Sequence, residues 1–317
     1  MFLKKIKLNS KSLIGFLYLI PLLVMIILFN IVPLIQSIDA SFIIRPYSNN
    51  FLITQRSLNN YKEVLNDSYF WEAIKNSTAI LFIATFISFI IAFVLAYVIE
   101  SLILKSSKNI FLTLIYSQFF LSSFAIGFSF LVLFGEKNIF FRILNLNDLN
   151  FRFGKINIIW YYILFQIWRS LPFNTILFAA AINKANRKYY KLIKLDNLSF
   201  FNKVKDIYFV ELKNTIFVIM LTNFVFAFLL YPGAILDTNF DLKLYHGHTV
   251  ASYILERLGI PRAAQINQGQ IYSSSILVLI YIFFLAIVWN LLRPKFIKKF
   301  YLIFKKVFGV FYAKKNI

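Results

Sequence analysis

The chain has 317 residues, of which 60% are hydrophobic and 19% aromatic, and its formal net charge is +21. Soluble domains contain about 45–50% apolar residues, so this composition excludes an ordinary soluble domain and indicates an integral membrane protein. The chain has no cysteine, which excludes disulfides, thiolate metal sites and cysteine nucleophiles.

Six apolar stretches are long enough to cross a bilayer core, for which a helix needs about 20 residues. They cover residues 13–38, 76–99, 110–134, 157–181, 215–236 and 271–292. Lipid offers no partner for open backbone groups, and none of the stretches alternates as a barrel strand does, so helices are expected. No small-residue cleavage site follows the first stretch, which is read as a retained span. The predicted fold class is all-α, a polytopic membrane protein with six transmembrane helices over residues 13–292.

Positive charge is concentrated in alternate connections between these spans. Residues 1–12, 100–109, 182–214 and 293–317 hold 22 lysines and arginines, whereas the opposite side holds 11. The positive-inside rule therefore places both termini in the cytoplasm and predicts a multi-pass protein of the cell membrane. Because topology accounts for the charge, nucleic acid is not expected as a partner, and anionic lipid is the expected neighbour of these loops.

The two ends of the chain are basic. Residues 1–12 are interpreted as a cytoplasmic N-terminus, and residues 293–317 as a cytoplasmic tail. Phenylalanine and aliphatic residues recur in the tail at helical spacing, with lysines on the other face. This pattern predicts an amphipathic helix that lies on the membrane surface.

The loop over residues 182–214 is too polar to span and too regular for a flexible connection. Its apolar residues, including Tyr190 and Ile193, have helical spacing. Asp196 and Asn197 form a turn signal, and Asn tolerates the left-handed conformation, so two short helices are predicted with a break between them. A helix pair between the fourth and fifth spans indicates a docking element for a cytoplasmic partner. The alternative is a helix pair that lies on lipid.

This loop resembles the signature of the permease subunits of binding-protein-dependent ABC importers. That signature reads E-A-A, three residues, G, nine residues and I-x-L-P. The chain keeps the spacing throughout, with Lys191, Leu192 and Ile193 at E-A-A, Asn197 at the glycine and Ile207 at the isoleucine. The neighbouring "KLDNLSFF" resembles the K-L-D-G-A-S segment of the family. Lys191 reverses the charge of the glutamate, and Leu192 and Ile193 replace small residues.

Other segments resemble the family in the same order along the chain. They are "LYLIPLLVMIILFNIVPLIQSIDASF" at 17–42, "LNNYKEVLNDSYFWEAIKNST" at 58–78, "FGEKNIFFRIL" at 134–144, "IWRSLPFNTILFAAAI" at 167–182 and "HGHTVASYIL" at 246–255. The resemblance covers almost the whole chain. It is nearest to the first permease of sugar and glycerol-3-phosphate importers.

The resemblance implies a transport subunit and not an enzyme, with no cofactor. It implies four partners: a second homologous permease, two ATP-hydrolysing subunits and an extracytoplasmic binding protein or lipoprotein. The residues that it assigns to contact with the ATPase are Lys191, Leu192, Ile193, Asp196, Asn197 and Ile207. The chain has no G-x-x-x-x-G-K-[ST] phosphate-binding loop of its own, which fits a subunit that takes its energy from a partner.

Polar residues inside the spans are candidates for a translocation path. Arg169 is the basic residue placed well inside a span, and charges there usually face a cavity or a partner. Gln166, Ser170 and Asn174 are expected on the same helical face, beside Pro172, and Asn223 lies in the fifth span. The alternative for Arg169 is a structural ion pair or a place at interface depth. Tyr116 and Gln118 in the third span are further candidates, although polar residues in membrane helices more often serve packing.

No metal site is predicted. His246 and His248 flank a glycine in an outer loop, with no carboxylate or cysteine at ligand spacing nearby. Three other functions are kept as alternatives to an ABC importer of the sugar type. They are a secondary carrier that works alone, a permease of another ABC importer class, and a membrane scaffold that transports nothing.

Overall fold

A computed structural model describes residues 10–44, 55–135, 139–146, 156–236, 240–258 and 268–291. The described chain is almost entirely helical, apart from one two-stranded antiparallel ribbon that pairs Ile43 with Arg56. The predicted tail over residues 293–317 and most of the basic N-terminus lie outside the described residues. The chain divides into two compact units, formed by residues 1–66 with 257–280 and by residues 67–256 with 281–317.

The first unit begins with one long apolar helical segment. Its elements are α1 (Ser10–Ile26), a π-helical turn (Ile27–Ile31), α2 (Val32–Ser41), β1 (Ile43–Ile44), β2 (Gln55–Arg56) and α3 (Asn59–Asn66). The buried Asn60 amide donates to the Ser41 and Ile43 carbonyl oxygens at 2.8 and 3.0 Å, which fixes α3 against the end of α2. These bonds satisfy backbone groups that the helix end would otherwise leave open.

The second unit is built around two long helices. Its elements are α4 (Ser68–Ser101), α5 (Lys105–Ser117), a 3₁₀ turn (Gln118–Phe120), α6 (Ser123–Phe134), α7 (Ile139–Ile143), α8 (Ile158–Lys188), α9 (Tyr190–Leu195), α10 (Phe200–Asn202), a π-helical turn (Lys203–Tyr208), α11 (Phe209–Glu211), α12 (Lys213–Phe228), a 3₁₀ turn (Pro232–Ala234) and α13 (Val250–Leu258). The last helix, α14 (Gln268–Leu291), contributes its residues up to Ile280 to the first unit and the rest to the second.

Helices α4 and α8 begin at side-chain caps and pack along most of their length. The Asp67 carboxylate accepts from the Tyr69 backbone N–H, and the Asn157 amide oxygen accepts from Ile159, each at 2.9 Å. Alanines at 92, 96, 179 and 185 are fully buried between the helices. Such small residues let two membrane helices approach closely, and α12 packs against both.

Three described helices are long and apolar enough to cross a membrane: Leu17–Ser41, Ser68–Ser101 and Gln268–Leu291. Two further pairs of helices, each bent at a short break, raise the number to five if each pair is counted as one span. They are Lys105–Phe120 with Ala125–Ile143, bent by 104°, and Phe200–Glu211 with Lys213–Phe228, bent by 70°. Helix α8 is 31 residues long but is not among these helices. The polar residues in its middle lower its hydropathy, so the six-span count stays a prediction.

The fifth predicted span is shorter as a helix than the apolar pattern suggested. The pattern continues to residue 236, but α12 ends at Phe228, and a 3₁₀ turn at Pro232–Ala234 follows. The cause is Pro232, which lacks a backbone donor and disfavours helical geometry in the residue before it. Apolar composition alone does not predict the end of the helix at this position.

Candidate functional site

The loop over residues 182–214 forms a compact helical hairpin between α8 and α12. Helix α9 ends at Leu195, a turn follows, and α10 begins after Ser199, whose hydroxyl accepts from the Asn202 backbone N–H at 3.4 Å. Asn197 has φ of 42°, in the left-handed region. The turn that was predicted at Asp196–Asn197 is therefore present, and Asn197 has a left-handed conformation that glycine also adopts without strain.

Asn197 gives a first test of this turn. Asn197→Gly should leave the stability unchanged or slightly raised, because glycine adopts positive φ without strain. Asn197→Val should lower the free energy of unfolding by about 1–2 kcal/mol, since a β-branched residue clashes in the left-handed region. Thermal unfolding of the two purified variants measures the difference. Equal melting temperatures would show that this φ value does not matter for stability.

The base of the hairpin is held by polar contacts between its two ends. Glu211 accepts from the Lys188 ammonium group at 2.5 Å and from the Tyr189 hydroxyl at 2.9 Å. The hydrogen bond from Lys188 lowers the pKa of Glu211, and the same bond raises the pKa of Lys188, so both groups stay charged at neutral pH. Tyr208 donates to the Asn186 side-chain oxygen at 2.7 Å. We call Lys188, Tyr189 and Glu211 the base clamp.

The hairpin is buried at its base and exposed at its tip. Ile207 is 2% exposed and packs with Tyr208 into the core between α4 and α8, and Ile193 packs partly against the same core. At the tip, Leu195 is 82% exposed and Phe201 is 80% exposed. These large apolar side chains form an exposed apolar tip, which is available for contact with a partner or with lipid.

The residues that the resemblance assigned to ATPase contact are therefore divided between two environments. Lys191, Leu192, Asp196 and Asn197 are exposed, whereas Ile193 is half-buried and Ile207 is buried. Sequence reasoning missed Glu211, Leu195 and Phe201 as candidates. The signal for Leu195 and Phe201 was available, since both flank the predicted turn. Nothing in the sequence pairs Glu211 with Lys188, 23 positions away.

Four of the five predicted path residues lie in the interior. Gln166, Ser170, Asn174 and Asn223 are fully buried, and hydrogen bonds place the last three between α4, α8 and α12. Asn174 donates to the Ser88 hydroxyl at 2.8 Å and accepts from the Asn223 amide at 3.2 Å. The Ser88 and Ser170 hydroxyls lie 3.0 Å apart. We call Ser88, Ser170, Asn174 and Asn223 the polar cluster, which joins three helices by interhelical hydrogen bonds.

The polar cluster predicts a stability effect. Asn174→Ala removes both of its hydrogen bonds and leaves the Asn223 amide with one acceptor fewer in a buried place. We expect the free energy of unfolding to fall by about 1–3 kcal/mol. Thermal unfolding in detergent measures this effect, and Asn183→Ala, at a half-buried position of the same helix, is the control with a smaller expected loss. An unchanged melting temperature for Asn174→Ala would contradict a packing role.

Arg169 lies apart from the polar cluster, on a half-buried face of α8. Its guanidinium carbon is 4.6 Å from the centre of the Phe226 ring, a cation–π arrangement. It lines a cavity of about 160 Å³ together with Gln118, Pro172, Phe226 and three further apolar residues. The four α8 residues that were expected on one face are thus divided. Arg169 faces a cavity, and Ser170 and Asn174 face the interface with α4 and α12. Gln166 is buried, and its amide has no hydrogen-bond partner among the described residues. Their part in translocation stays a prediction.

The segment from His246 to Tyr253 is fixed to the start of α4. Asn76 donates to the His246 and His248 carbonyl oxygens, each at 2.9 Å, and Tyr253 donates to Asp67 at 2.9 Å. His246 lies 2.9 Å from the Glu72 carboxylate, which is distant in sequence. Among the described residues, no group of three or more metal-ligating side chains occurs.

Comparison with known proteins shows which proteins this chain is similar to. No protein-family model matches the chain. A probable ABC transporter permease protein of Mycoplasma genitalium is 24% identical over 190 residues, which is 57% of this chain and 56% of that relative. The chain thus matches little more than half the length of this relative.

Two solved bacterial structures have the same fold. One is a crystal structure of an ABC transporter involved in the import of the acidic polysaccharide alginate, with a TM-score of 0.66, 19% identity and coverage of 89% of this chain and 95% of that chain. The other is an alginate ABC transporter in complex with a periplasmic protein that binds an alginate pentasaccharide. It gives a TM-score of 0.68, 19% identity and coverage of 90% and 96%.

These findings confirm the resemblance to ABC-importer permeases that the sequence motifs indicated. The chain is a mostly helical, multi-pass membrane protein. Its relatives are components of transporters and not enzymes, in agreement with the prediction that the chain catalyses no reaction.

Proposed function

We propose that this chain is the permease subunit of an ABC importer that moves a sugar, polyol or glycerol-phosphate-type solute into the cell. Its partners are a second homologous permease, two ATP-hydrolysing subunits and an extracytoplasmic binding protein. The chain crosses the membrane six times with both termini in the cytoplasm. The solved neighbour that imports alginate supports a carbohydrate-type solute.

The observation that carries this proposal is the hairpin between α8 and α12. Its base is joined by the contacts of Glu211 with Lys188 and Tyr189, and its tip is exposed and apolar, at the position of the family signature. A segment that transmits motion must be firm where it joins the spans and free where the partner binds. The lysines around the tip would face cytoplasm under the positive-inside rule. The hairpin thus serves as the coupling element that docks on an ATPase subunit.

Purification tests the proposal. The tagged chain, extracted from its native membrane, should carry an ATPase and a second multi-pass permease, identified by mass spectrometry. Reconstituted into vesicles with the binding protein, the complex should take up solute only when ATP is supplied on the hairpin side. Purification of the chain alone, with uptake driven by an ion gradient, would instead establish a secondary carrier.

The base clamp predicts a separation of ATP hydrolysis from transport. Glu211→Gln keeps the shape of the side chain but weakens its bonds to Lys188 and Tyr189, so the hairpin should move without carrying α12 with it. We expect the ratio of solute transported to ATP hydrolysed to fall below that of the unmodified complex, because motion of the hairpin would no longer be passed fully to α12. Vesicle uptake and phosphate release, measured on one preparation, give this ratio.

Charge exchange provides the control for the clamp. The double variant Lys188→Glu/Glu211→Lys should restore the ratio that each single reversal lowers, because the pair is re-formed with opposite polarity. If the single reversals leave the ratio unchanged, the clamp has no part in coupling.

A further inference from the structure

A second cavity in the described residues lies between the cytoplasmic halves of α5 and α8. It is an open cleft of about 1110 Å³, with walls formed by the ends of α4 and α5 and by the last turns of α8. Asn109 and Thr113 lie on one wall, and Asn183 and Asn186 on the other. Asn109 and Thr113 offer hydrogen-bonding groups to a hydroxyl-bearing solute on one wall. On the other wall, the Asn183 amide already donates to Glu100 and the Asn186 oxygen accepts from Tyr208, so their remaining amide atoms are the ones offered.

The cleft has a positive charge excess. Its lining includes Lys105, Lys108, Arg187 and Glu100. Glu100 is already paired, since it accepts from the Lys108 ammonium group and from the Asn183 amide. Within the part of the chain that the structure describes, no acidic group pairs with Lys105 or Arg187, and both are exposed. An anionic group that enters the cleft would meet these two cations.

The cleft continues toward the cavity of Arg169 along the same two helices. Tyr116 and Ile176 line the cleft, whereas Gln118 and Pro172 line the smaller cavity. Pro172 and Ile176 are one helical turn apart, about 6 Å along α8. Cations therefore lie at the mouth of the cleft and again in the neighbouring cavity, which α6 and α12 also line through Ile126 and Phe226. We call the cleft and this cavity together the α5–α8 groove.

We propose that the α5–α8 groove binds a transported solute that is both hydroxylated and anionic, such as an acidic sugar, and that the cleft is its exit toward the cytoplasm. This proposal rests on the proposed function and narrows its solute class. An anionic lipid headgroup is the competing source of negative charge. The groove favours the solute because its amides and hydroxyls line the walls and because it extends inward to Arg169, whereas a headgroup stays at the membrane surface.

The absence of cysteine permits a direct measurement of charge in the groove. Thr113→Cys places one thiol in the cleft, and the assembled complex is held in nanodiscs of zwitterionic lipid. Its reaction rates with a negatively charged and a positively charged methanethiosulfonate are compared, with the label counted on this chain after electrophoresis. We expect the anionic reagent to be favoured, and Lys105→Gln/Arg187→Gln to lower the rate ratio by roughly threefold per charge removed. Leu244→Cys, in an exposed loop outside the cleft, should show no such change.

Solute and lipid are then distinguished on the same Thr113→Cys complex. A trisaccharide of uronic acids should slow the labelling, and a neutral glucose trisaccharide should not. The proposal is overturned if the thiol does not react, if Lys105→Gln/Arg187→Gln leaves the ratio of the two labelling rates unchanged, or if the two trisaccharides slow the labelling equally. It is also overturned if phosphatidylglycerol in the nanodisc removes the protection, because lipid would then occupy the cleft. If the ATPase is absent after purification, only the proposed function is contradicted. The ratio of labelling rates with the two charged reagents can still be measured on the chain alone.

Discussion

Leu195→Asp is expected to release the ATPase subunit from the purified complex and to abolish ATP-driven uptake. Leu195 stands at the hairpin tip with 82% of its surface exposed, so the isolated chain tolerates the change. In the complex the new carboxylate would be buried in an apolar groove without a partner, which costs several kcal/mol. Each 1.4 kcal/mol is about tenfold in affinity, so binding should fall by at least a hundredfold. Co-purification followed by quantitative mass spectrometry measures the loss.

The control for Leu195→Asp is a matched change elsewhere on the surface. Leu244 is 68% exposed in a loop far along the chain from the hairpin, and Leu244→Asp should leave the ATPase bound. Leu195→Met, which keeps the apolar character, should also bind. If Leu195→Asp retains the ATPase with normal uptake, the hairpin tip is not the docking surface.

Arg169→Ala is expected to lower uptake at least tenfold while the complex assembles normally. The substitution removes the charge that Arg169 contributes to the small cavity and its contact with Phe226. A hydrogen bond to a charged group is worth about 1.5–3 kcal/mol, and losing it toward the solute accounts for that reduction. Vesicle uptake per mole of assembled complex is the measurement.

Two further variants separate a path role from a packing role. Arg169→Lys keeps a positive charge in the cavity and should recover part of the uptake. Asn174→Ala, in the polar cluster, should lower the melting temperature yet leave uptake per folded complex near normal. Normal transport by Arg169→Ala would end the path hypothesis for Arg169.

Several features were predictable because they depend on local chemistry. The turn at Asp196–Asn197 follows from the backbone freedom of asparagine, and Asn197 does adopt positive φ. The second and sixth apolar stretches correspond to α4 and α14, since continuous apolar composition leaves a helix as the only stable conformation in lipid, although α4 begins eight residues before the predicted start, at Ser68. The end of α12 at Phe228 was missed because Pro232 acts on geometry that apolar composition does not register.

The candidate site was only partly predictable. The sequence placed Gln166, Arg169, Ser170 and Asn174 together by helical spacing, but spacing does not say which neighbour each side chain meets. In the structure, α4 and α12 cover the face with Ser170 and Asn174, and the Arg169 face opens on a cavity. The base clamp could not be predicted, because Glu211 and Lys188 meet only when the hairpin folds back on itself.

The sequence by itself determined that this is a helical membrane protein, which of the loops between its spans are basic, and where the family signature lies. Those properties follow from composition, period and spacing along one chain. Only the tertiary structure decided which polar residues join helices by buried hydrogen bonds and which face a cavity. It also decided that the two ends of the hairpin contact each other at its base and that its tip is exposed. The physical reason is that burial and hydrogen bonding depend on which helices pack together, and that choice is made by contacts between residues far apart in the sequence.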